Sequence, residues 1–323
     1  MMSRTIVGVL RGGTSNEYEL SLKTGAAMLN ALPDDNYNVR DIFIDKRGYW
    51  HSRGRPVEPA RVLSQIDVVL NGLHGGAGED GTISRLLRSA GIPFAGSDAR
   101  ASALSLNKIR AREAFTDAAI LTPHSVGFTL GNGMNTREMA ERVFAEFGPP
   151  YMVKPASDGA SHGIQVALTV LELPDVLGDI LDAYGAALVE EFIRGQEATV
   201  GIIEGFRGEE LYALPPARIS YPSDARHILH DHHHAGLLQY NVPSDFSHVE
   251  KGMLIEAARK AHRALELDDF SRSDFIMTPR GPYLLEVNAL PGLYDGAAMP
   301  PMLESVGCSV PDYLAHTIEL ARR

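Results

Sequence analysis

The chain has 323 residues, of which 44% are hydrophobic and 22% are charged, a composition typical of a globular protein of two or three domains. Thirty lysines and arginines against 41 acidic residues give a net charge of −11, which disfavours nucleic acid and anionic lipid as partners unless a local basic patch reverses it. The one cysteine, Cys308, excludes an internal disulfide, and the apolar run at 6–10 is too short for a secretion signal. We therefore expect a cytoplasmic protein that binds neither nucleic acid nor membrane.

The first 96 residues alternate strand-like and helix-like segments. Strands are predicted at 5–10, 39–44 and 66–72, and helices at 19–32 and 82–90. Strands separated by helices predict a parallel sheet with helical crossovers. Glycine-rich loops at 11–15 and 73–81 each follow a strand, and functional loops in such sheets lie beyond the carboxyl ends of the strands. These two loops should therefore share one edge of the sheet and face one site.

The middle of the chain places Lys154 at the end of a predicted strand. Further elements are predicted as a helical segment at 97–115, which carries Lys108, and as strands at 151–153, 164–168, 187–192 and 197–203. The connector at 154–163 is rich in small residues, so its backbone N–H groups could surround phosphate oxygens, although the order is not that of a Walker A loop. Two alternatives stay open: Lys154 as a surface charge, and Glu190, Glu191 and Glu197 as a solvated acidic face.

Residues 215–245 show no regular period and contain five histidines between His227 and His234. Only His230 and His234 have helical i, i+4 spacing, and no cysteine lies near, so we expect a polar lid, with a zinc site as the alternative. An amphipathic helix is predicted at 249–267.

The sharpest chemical pattern is Arg272-x-Asp274 followed by Glu286-x-Asn288. Strands at 273–277 and 282–288 around a turn at 279–281 would place Asp274 opposite Glu286, and residues two apart on a strand share a face. Two carboxylates and an amide oxygen would then converge, which suits Mg²⁺ shared with substrate phosphates. The alternative is a solvated hairpin with unrelated acidic residues.

Eight segments in order resemble the D-alanine–D-alanine ligase family of ATP-grasp enzymes, over nearly the whole chain. They are Gly12-Gly13-Thr14-Ser15-x-Glu17-x-Glu19-x-Ser21-Leu22, Leu73-His74-Gly75 with Gly78-Glu79-Asp80-Gly81, Phe94-Ala95-Gly96-Ser97, Lys108, Val153-Lys154-Pro155-Ala156, Val189-Glu190-x-Phe192-Ile193-x-Gly195-x-Glu197, Arg272-x-Asp274, and Glu286-x-Asn288 before Pro291-Gly292. The resemblance implies an α/β fold, with α+β character in its C-terminal parts, of the three-domain ATP-grasp type. Its divisions would be an N-terminal parallel α/β substrate domain at 1–96, a central ATP-grasp subdomain at 97–192, and a C-terminal subdomain with the metal and oxyanion residues at 193–323.

The resemblance also implies an activity, its cofactors and its partners. The enzyme would be an ATP- and Mg²⁺-dependent ligase that joins two D-alanines through an acylphosphate, for peptidoglycan precursor synthesis. Two Mg²⁺ ions are implied, for which Mn²⁺ is an alternative, and a homodimer is implied as well.

Roles for individual residues follow from the same resemblance. The nucleotide would be held by Lys108, Lys154, Glu190, Phe192 and Glu197, and the metal ions by Asp274, Glu286 and Asn288. The amino-acid substrates would be bound by Glu17, His74, Glu79, Arg272, Gly292 and Asp295. The residues expected to be catalytic are Glu17, which would anchor the first ammonium, Arg272 and the Gly292 N–H, which would stabilise the oxyanion, and Ser161.

The chain departs from the family around the acceptor. Ala160 and Ala297 replace two family serines, and the usual tyrosines and lysine of the lid are missing from the sequence around Tyr221. An alanine cannot donate to a carboxylate, so either Arg272 and the backbone bind the second substrate alone, or that substrate is not D-alanine. Asp295 would favour a positively charged acceptor, or would simply face solvent. A non-catalytic nucleotide-binding relative is the alternative from another class.

Overall fold

A six-stranded sheet forms the N-terminal part of the computed structural model, which describes residues 4–33, 35–157, 163–221 and 238–323. Its elements are β1 (Thr5–Gly12), α1 (Tyr18–Ala31), β2 (Tyr37–Ile44), β3 (Trp50–Ser52), β4 (Arg55–Pro56), α2 (Pro59–Leu63), β5 (Val68–Asn71), α3 (Thr82–Ser89) and β6 (Phe94–Ala95). The strand order is β4-β3-β2-β1-β5-β6. The pairs β2–β1 and β1–β5 are parallel, as predicted, and β6, which was not predicted, adds a further parallel pair with β5. The antiparallel extension by β3 and β4 was not predicted.

A four-stranded antiparallel sheet follows. Its region contains α4 (Ala99–Leu106), α5 (Lys108–Asp117), β7 (Ser125–Thr129), α6 (Thr136–Glu146), β8 (Tyr151–Pro155), β9 (Gln165–Ala167), α7 (Leu173–Tyr184) and β10 (Ala186–Glu191). The order is β7-β10-β8-β9, and α6 and α7 contribute Val143, Leu177 and Ile180 to the core under it. The predicted helical segment at 97–115 is two helices, because Asn107 has extended backbone and its side chain accepts from the Arg110 N–H at 3.1 Å, which starts a new helix.

The third sheet carries the hairpin predicted to hold metal. The elements are β11 (Gln196–Glu204), β12 (Leu211–Ala213), β13 (Ala217–Ser220), β14 (Gln239–Asn241), α8 (His248–Ala264), β15 (Phe270–Thr278), β16 (Gly281–Asn288), α9 (Met299–Ser305) and α10 (Val310–Ala321). The order is β14-β13-β11-β15-β16, with β12 paired to β11. Strands β13 and β14 lie inside 215–245, where the sequence shows no period. An α/β part followed by two antiparallel sheets with helices agrees with the predicted fold class.

The first and third sheets share a hydrophobic core. Val7 and Val9 of β1 pack in one cluster with Phe270, Leu290 and Met299. This packing brings the loop after β16 towards the loops of the N-terminal sheet. Within the described ranges, no helix is both long enough and apolar enough to cross a bilayer.

Candidate active site

The two glycine-rich loops meet at one edge of the N-terminal sheet. The Ser15 hydroxyl donates to the His74 carbonyl oxygen at 2.5 Å. The Ser21 hydroxyl accepts from the Gly12 N–H at 2.8 Å and donates to the Gly72 carbonyl oxygen at 2.9 Å. One serine on α1 therefore ties the end of β1 to the end of β5, and the predicted meeting of the two loops is confirmed.

Glu17, His74 and Glu79 lie together beside Gly75, and all three side chains are buried. A Cβ added to Gly75 would come within 2.8 Å of Glu17 Oε1, so the carboxylate lies directly against this glycine. Glu79 Oε2 accepts from the Gly75 N–H at 3.1 Å, and Glu79 Oε1 lies 3.9 Å from His74 Nδ1. His74 Nε2 is 2.7 Å from the Thr24 hydroxyl, which fixes the ring. These contacts hold the three side chains in one polar cluster.

The predicted pairing of Asp274 with Glu286 is confirmed, and Arg272 lies opposite Asn288, although the register nearer the turn is one residue away from the predicted one. Arg272 makes a fork to Asp274, from Nε to Oδ1 at 3.0 Å and from NH2 to Oδ2 at 2.7 Å. The Thr199 hydroxyl on β11 donates to the same Oδ1 at 2.6 Å. Arg272 and Asp274 are thus oriented by each other and by the neighbouring strand. The Asn288 amide oxygen accepts from the Leu290 N–H at 2.8 Å, which turns the chain after β16.

The loop after β16 brings Tyr294 over Gly292. A Cβ on Gly292 would lie 2.6 Å from Tyr294 Cε1, so only glycine fits beneath this ring. Burial raises the pKa of Tyr294, Arg272 opposes the rise and Glu17 adds to it. The charges of Arg272 and Glu17 thus both act on this phenol. Asp295 is exposed, which favours its solvent-facing alternative.

Lys108 reaches the β15–β16 hairpin, and Lys154 reaches a residue of the central sheet. Lys108 Nζ lies 3.7 Å from Glu286 Oε2. The Lys108 N–H donates to the Ala156 carbonyl oxygen at 2.7 Å, which fixes the start of α5 against the end of β8. Lys154 is only 7% exposed and its Nζ lies 2.6 Å from Glu190 Oε2. The surface-charge alternative for Lys154 is therefore wrong.

Glu190 is 1% exposed and is ion-paired with Lys154 and with Arg112, so it is not part of a solvated face. Burial alone would raise the pKa of Glu190, but the charges of Arg112 and Lys154 hold that pKa below its usual value. Sequence reasoning missed Arg112. The signal that could have found it is its position four residues after Lys108, on the same face of α5.

The residues expected at the adenosine lie around the junction of β10 and β11. The Tyr221 hydroxyl donates to Glu197 Oε2 at 2.6 Å. The Phe192 N–H donates to the Pro150 carbonyl oxygen at 3.2 Å. Glu191 accepts from the His124 N–H at 3.0 Å and so has a structural partner.

Tyr221 and Tyr240 also border the site, although sequence reasoning did not single them out as site residues. Burial raises the pKa of Tyr240 to about 12, Arg272 opposes the rise and Asp274 adds to it. Burial and the charge of Glu197 raise the pKa of Tyr221. Both phenols are therefore neutral at pH 7 and able to donate hydrogen bonds. Neither was predicted, because both lie within 215–245, where the sequence shows no regular period.

Ser161, Ala160 and the histidines from His227 to His234 lie outside the described residues. In the part of the chain that the structure describes, no three His, Cys, Asp or Glu side chains are grouped for a metal ion. The candidate magnesium set is of another kind, with two carboxylates and one amide oxygen.

Two family models match the chain. The model described as D-ala D-ala ligase C-terminus matches residues 115–319, and the one described as D-ala D-ala ligase N-terminus matches residues 51–97. A D-alanine–D-alanine ligase of Geotalea uraniireducens (strain Rf4) is 33% identical over 317 residues, covering 98% of this chain and 95% of the relative.

Two solved structures share the whole fold. The VanG D-Ala:D-Ser ligase from Enterococcus faecalis has a TM-score of 0.86 at 26% identity, covering 99% of this chain and 100% of that one. The D-alanine–D-alanine ligase from Bacillus anthracis complexed with ATP has a TM-score of 0.81 at 25% identity, covering 99% and 98%.

Proposed function

Because the chain belongs to the D-alanine–D-alanine ligase family of ATP-grasp enzymes, it is an ATP-dependent ligase, and we propose that it joins two D-alanines for peptidoglycan precursor synthesis. The observation that carries the proposal is the meeting of three groups at one place. The β15–β16 hairpin sets Asp274 against Glu286, Lys108 reaches Glu286, and Arg272 is locked to Asp274. A protein that only binds nucleotide does not need a guanidinium held in a fixed orientation beside the carboxylates of Asp274 and Glu286.

The nucleotide is held by Lys108 and Lys154 at its phosphates, by Glu197 at its adenosine and by the backbone around Phe192 at its adenine. Lys154 is buried and oriented by Glu190, which supports a fixed phosphate contact rather than a mobile surface charge. Preorganised cations of this kind stabilise the charge that develops during phosphoryl transfer.

Asp274, Glu286 and Asn288 would hold Mg²⁺, or Mn²⁺ in its place. The fit rests on the donor set, since carboxylate and amide oxygens are hard ligands and few in number, as Mg²⁺ shared with phosphates requires. When bound, the ions neutralise negative charge on the β- and γ-phosphates.

The substrates meet between Glu17 and Arg272. A carboxylate oxygen of the first D-alanine attacks the γ-phosphorus, the bond to the β-phosphate oxygen breaks, and ADP leaves. The amine of the second D-alanine then attacks the acyl carbon, phosphate leaves with the oxygen that it gained, and the amine loses a proton. Glu17 binds the first ammonium, while Arg272 and the Gly292 N–H stabilise the tetrahedral oxyanion.

A panel of D- and L-amino acids, scored by ADP release and by product mass, tests this proposal. D-Alanine should release ADP and give its dipeptide, while L-alanine should do neither. ADP release by no amino acid would contradict the ligase function, and release by other amino acids alone would contradict D-alanine as the substrate.

D-Serine as the second substrate is a second candidate, which the buried Ala297 favours. A serine acceptor carries the hydroxyl that the protein lacks at this position, and the VanG D-Ala:D-Ser ligase has the same fold. The same panel decides, since a mixed incubation would then yield D-Ala–D-Ser as its main product. A homodimer and a cytoplasmic location are further implications of the family, and both stay predictions.

A further inference from the structure

Arg112 connects three separate parts of the nucleotide site. It lies on α5, one turn after Lys108, and is 7% exposed. Its NH1 donates to the Leu284 carbonyl oxygen at 2.9 Å, and its NH2 donates to the Leu285 carbonyl oxygen at 3.1 Å. NH2 also binds Glu190 Oε1. One guanidinium therefore joins α5, the metal strand β16 and the central-sheet strand β10.

The two carbonyl groups belong to an irregularity in β16. Asp274 pairs with Glu286 and Phe275 pairs with Leu284, so Leu285 has no partner on β15. This is a β-bulge, in which an extra residue re-aims the neighbouring side chain. The residue that follows the bulge is Glu286, the predicted metal ligand. Among the described strands β16 is the last in its sheet, so Arg112 binds the bulge on an edge that no other described strand covers.

Arg112 also sets the charge around Lys154. Glu190 is bound by Arg112 through one carboxylate oxygen and by Lys154 through the other. With two cations and one anion, the triad keeps a net charge of +1. Without Arg112, Glu190 would neutralise Lys154, and the nucleotide phosphates would face a neutral pair.

We propose that Arg112 is a positioning residue for the ligation reaction. It fixes the bulge that aims Glu286, and it shares the charge of Glu190 so that the triad around Lys154 presents a net positive charge to phosphate. The proposal rests on the proposed function. Only arginine can do both, because its planar fork reaches two carbonyls and a carboxylate at once, whereas lysine offers one nitrogen atom.

Two substitutions separate the effect of the guanidinium hydrogen bonds of Arg112 from the effect of its positive charge. Arg112→Lys keeps the charge and loses the fork, so kcat should fall and the half-saturating Mg²⁺ concentration should rise, each by about tenfold, with the KM for ATP within about threefold. Arg112→Gln loses both, so the KM for ATP should also rise about tenfold. The KM for D-alanine should stay unchanged in both variants, because the Glu17 cluster is untouched.

Arg110→Lys is the matched control, since Arg110 lies on the same helix, is exposed and pairs only locally with Glu113. It should leave every constant unchanged. Wild-type Mg²⁺ dependence in Arg112→Lys would overturn the proposal. So would a loss of folding in both variants, seen as loss of the thermal transition, because Arg112 would then be a structural residue.

A failure of the proposed function can be distinguished from a failure of the proposal for Arg112. If wild-type protein ligates no D-alanine, calorimetry with a non-hydrolysable ATP analogue at graded Mg²⁺ concentrations still tests Arg112. A rise in the Mg²⁺ requirement for binding in Arg112→Lys supports the proposal there, and an unchanged requirement overturns it.

Discussion

Burial of charge distinguishes Lys154 and Glu190 from the many surface charges of this acidic chain. A buried ion loses its hydration and remains only where partners replace it, and removing one partner of such a pair typically costs about 3–5 kcal/mol. Glu190 has two cationic partners, and they keep its pKa below its usual value against the effect of burial. At neutral pH Glu190 is therefore ionised, and it keeps its contacts with both Arg112 and Lys154.

Ala297, which is buried, offers the sharpest test of how the second substrate is bound. Ala297→Ser would restore a hydroxyl donor, so the KM for D-alanine as second substrate should fall about tenfold, equivalent to about 1.4 kcal/mol. Steady-state kinetics with ATP held saturating measure this, and the KM for ATP should not change.

Ala298→Ser adds a hydroxyl to the next buried position and serves as the matched control, for which no KM should change. If Ala297→Ser has no effect on a wild-type enzyme that already binds D-alanine tightly, then Arg272 and the Gly292 backbone suffice and the missing serine does not matter.

At the scale of elements, the pairing of Asp274 with Glu286 was predicted, and the way in which the strands reach it was not. A turn at 279–281 leads by counting to this pair, but the strands pair Thr278 with Gly281, and the bulge at Leu285 then brings Glu286 opposite Asp274. The bulge at Leu285 and the guanidinium that binds it could not be found that way, because Arg112 is more than 170 residues distant in sequence. Helix propensity also predicted α4 and α5 as one helical segment, because propensity does not detect a side-chain cap in the middle of a helical run.

The hairpin prediction is tested by Glu286→Gln, which removes one charge from the proposed metal ligands and keeps the shape of the side chain. Turnover should fall at least about a hundredfold, while the affinity for nucleotide, measured by calorimetry, should stay within about fivefold. Glu304→Gln, at an exposed glutamate on α9, is the control and should behave as wild type. An unchanged kcat at saturating Mg²⁺ would remove the hairpin from the reaction.

At the scale of the whole molecule, the packing of the N-terminal sheet on the third sheet forms a site from distant segments. The Gly96 N–H donates to Asp269 Oδ2 at 2.7 Å, which adds a polar contact to the shared hydrophobic core. Glu17 and Arg272 come from these two parts, so neither part alone contains both ends of the ligation site. The net charge of −11 disfavours a polyanion such as ATP. Lys108, Lys154, Arg112 and Arg272 are paired with the three carboxylates of Glu190, Asp274 and Glu286, so these ion pairs together carry one positive charge in excess.

The central claim is that ATP activates the carboxylate of the first D-alanine as an acylphosphate, and oxygen transfer tests it most directly. D-Alanine labelled with ¹⁸O in both carboxylate oxygens is incubated with ATP, Mg²⁺ and the enzyme, and the phosphate released is examined by mass spectrometry. The account predicts one ¹⁸O atom in each phosphate and one in the new peptide carbonyl, with one phosphate released per dipeptide. Unlabelled phosphate, released at the same rate without amino acid, would contradict the account, because water and not D-alanine would then be the nucleophile.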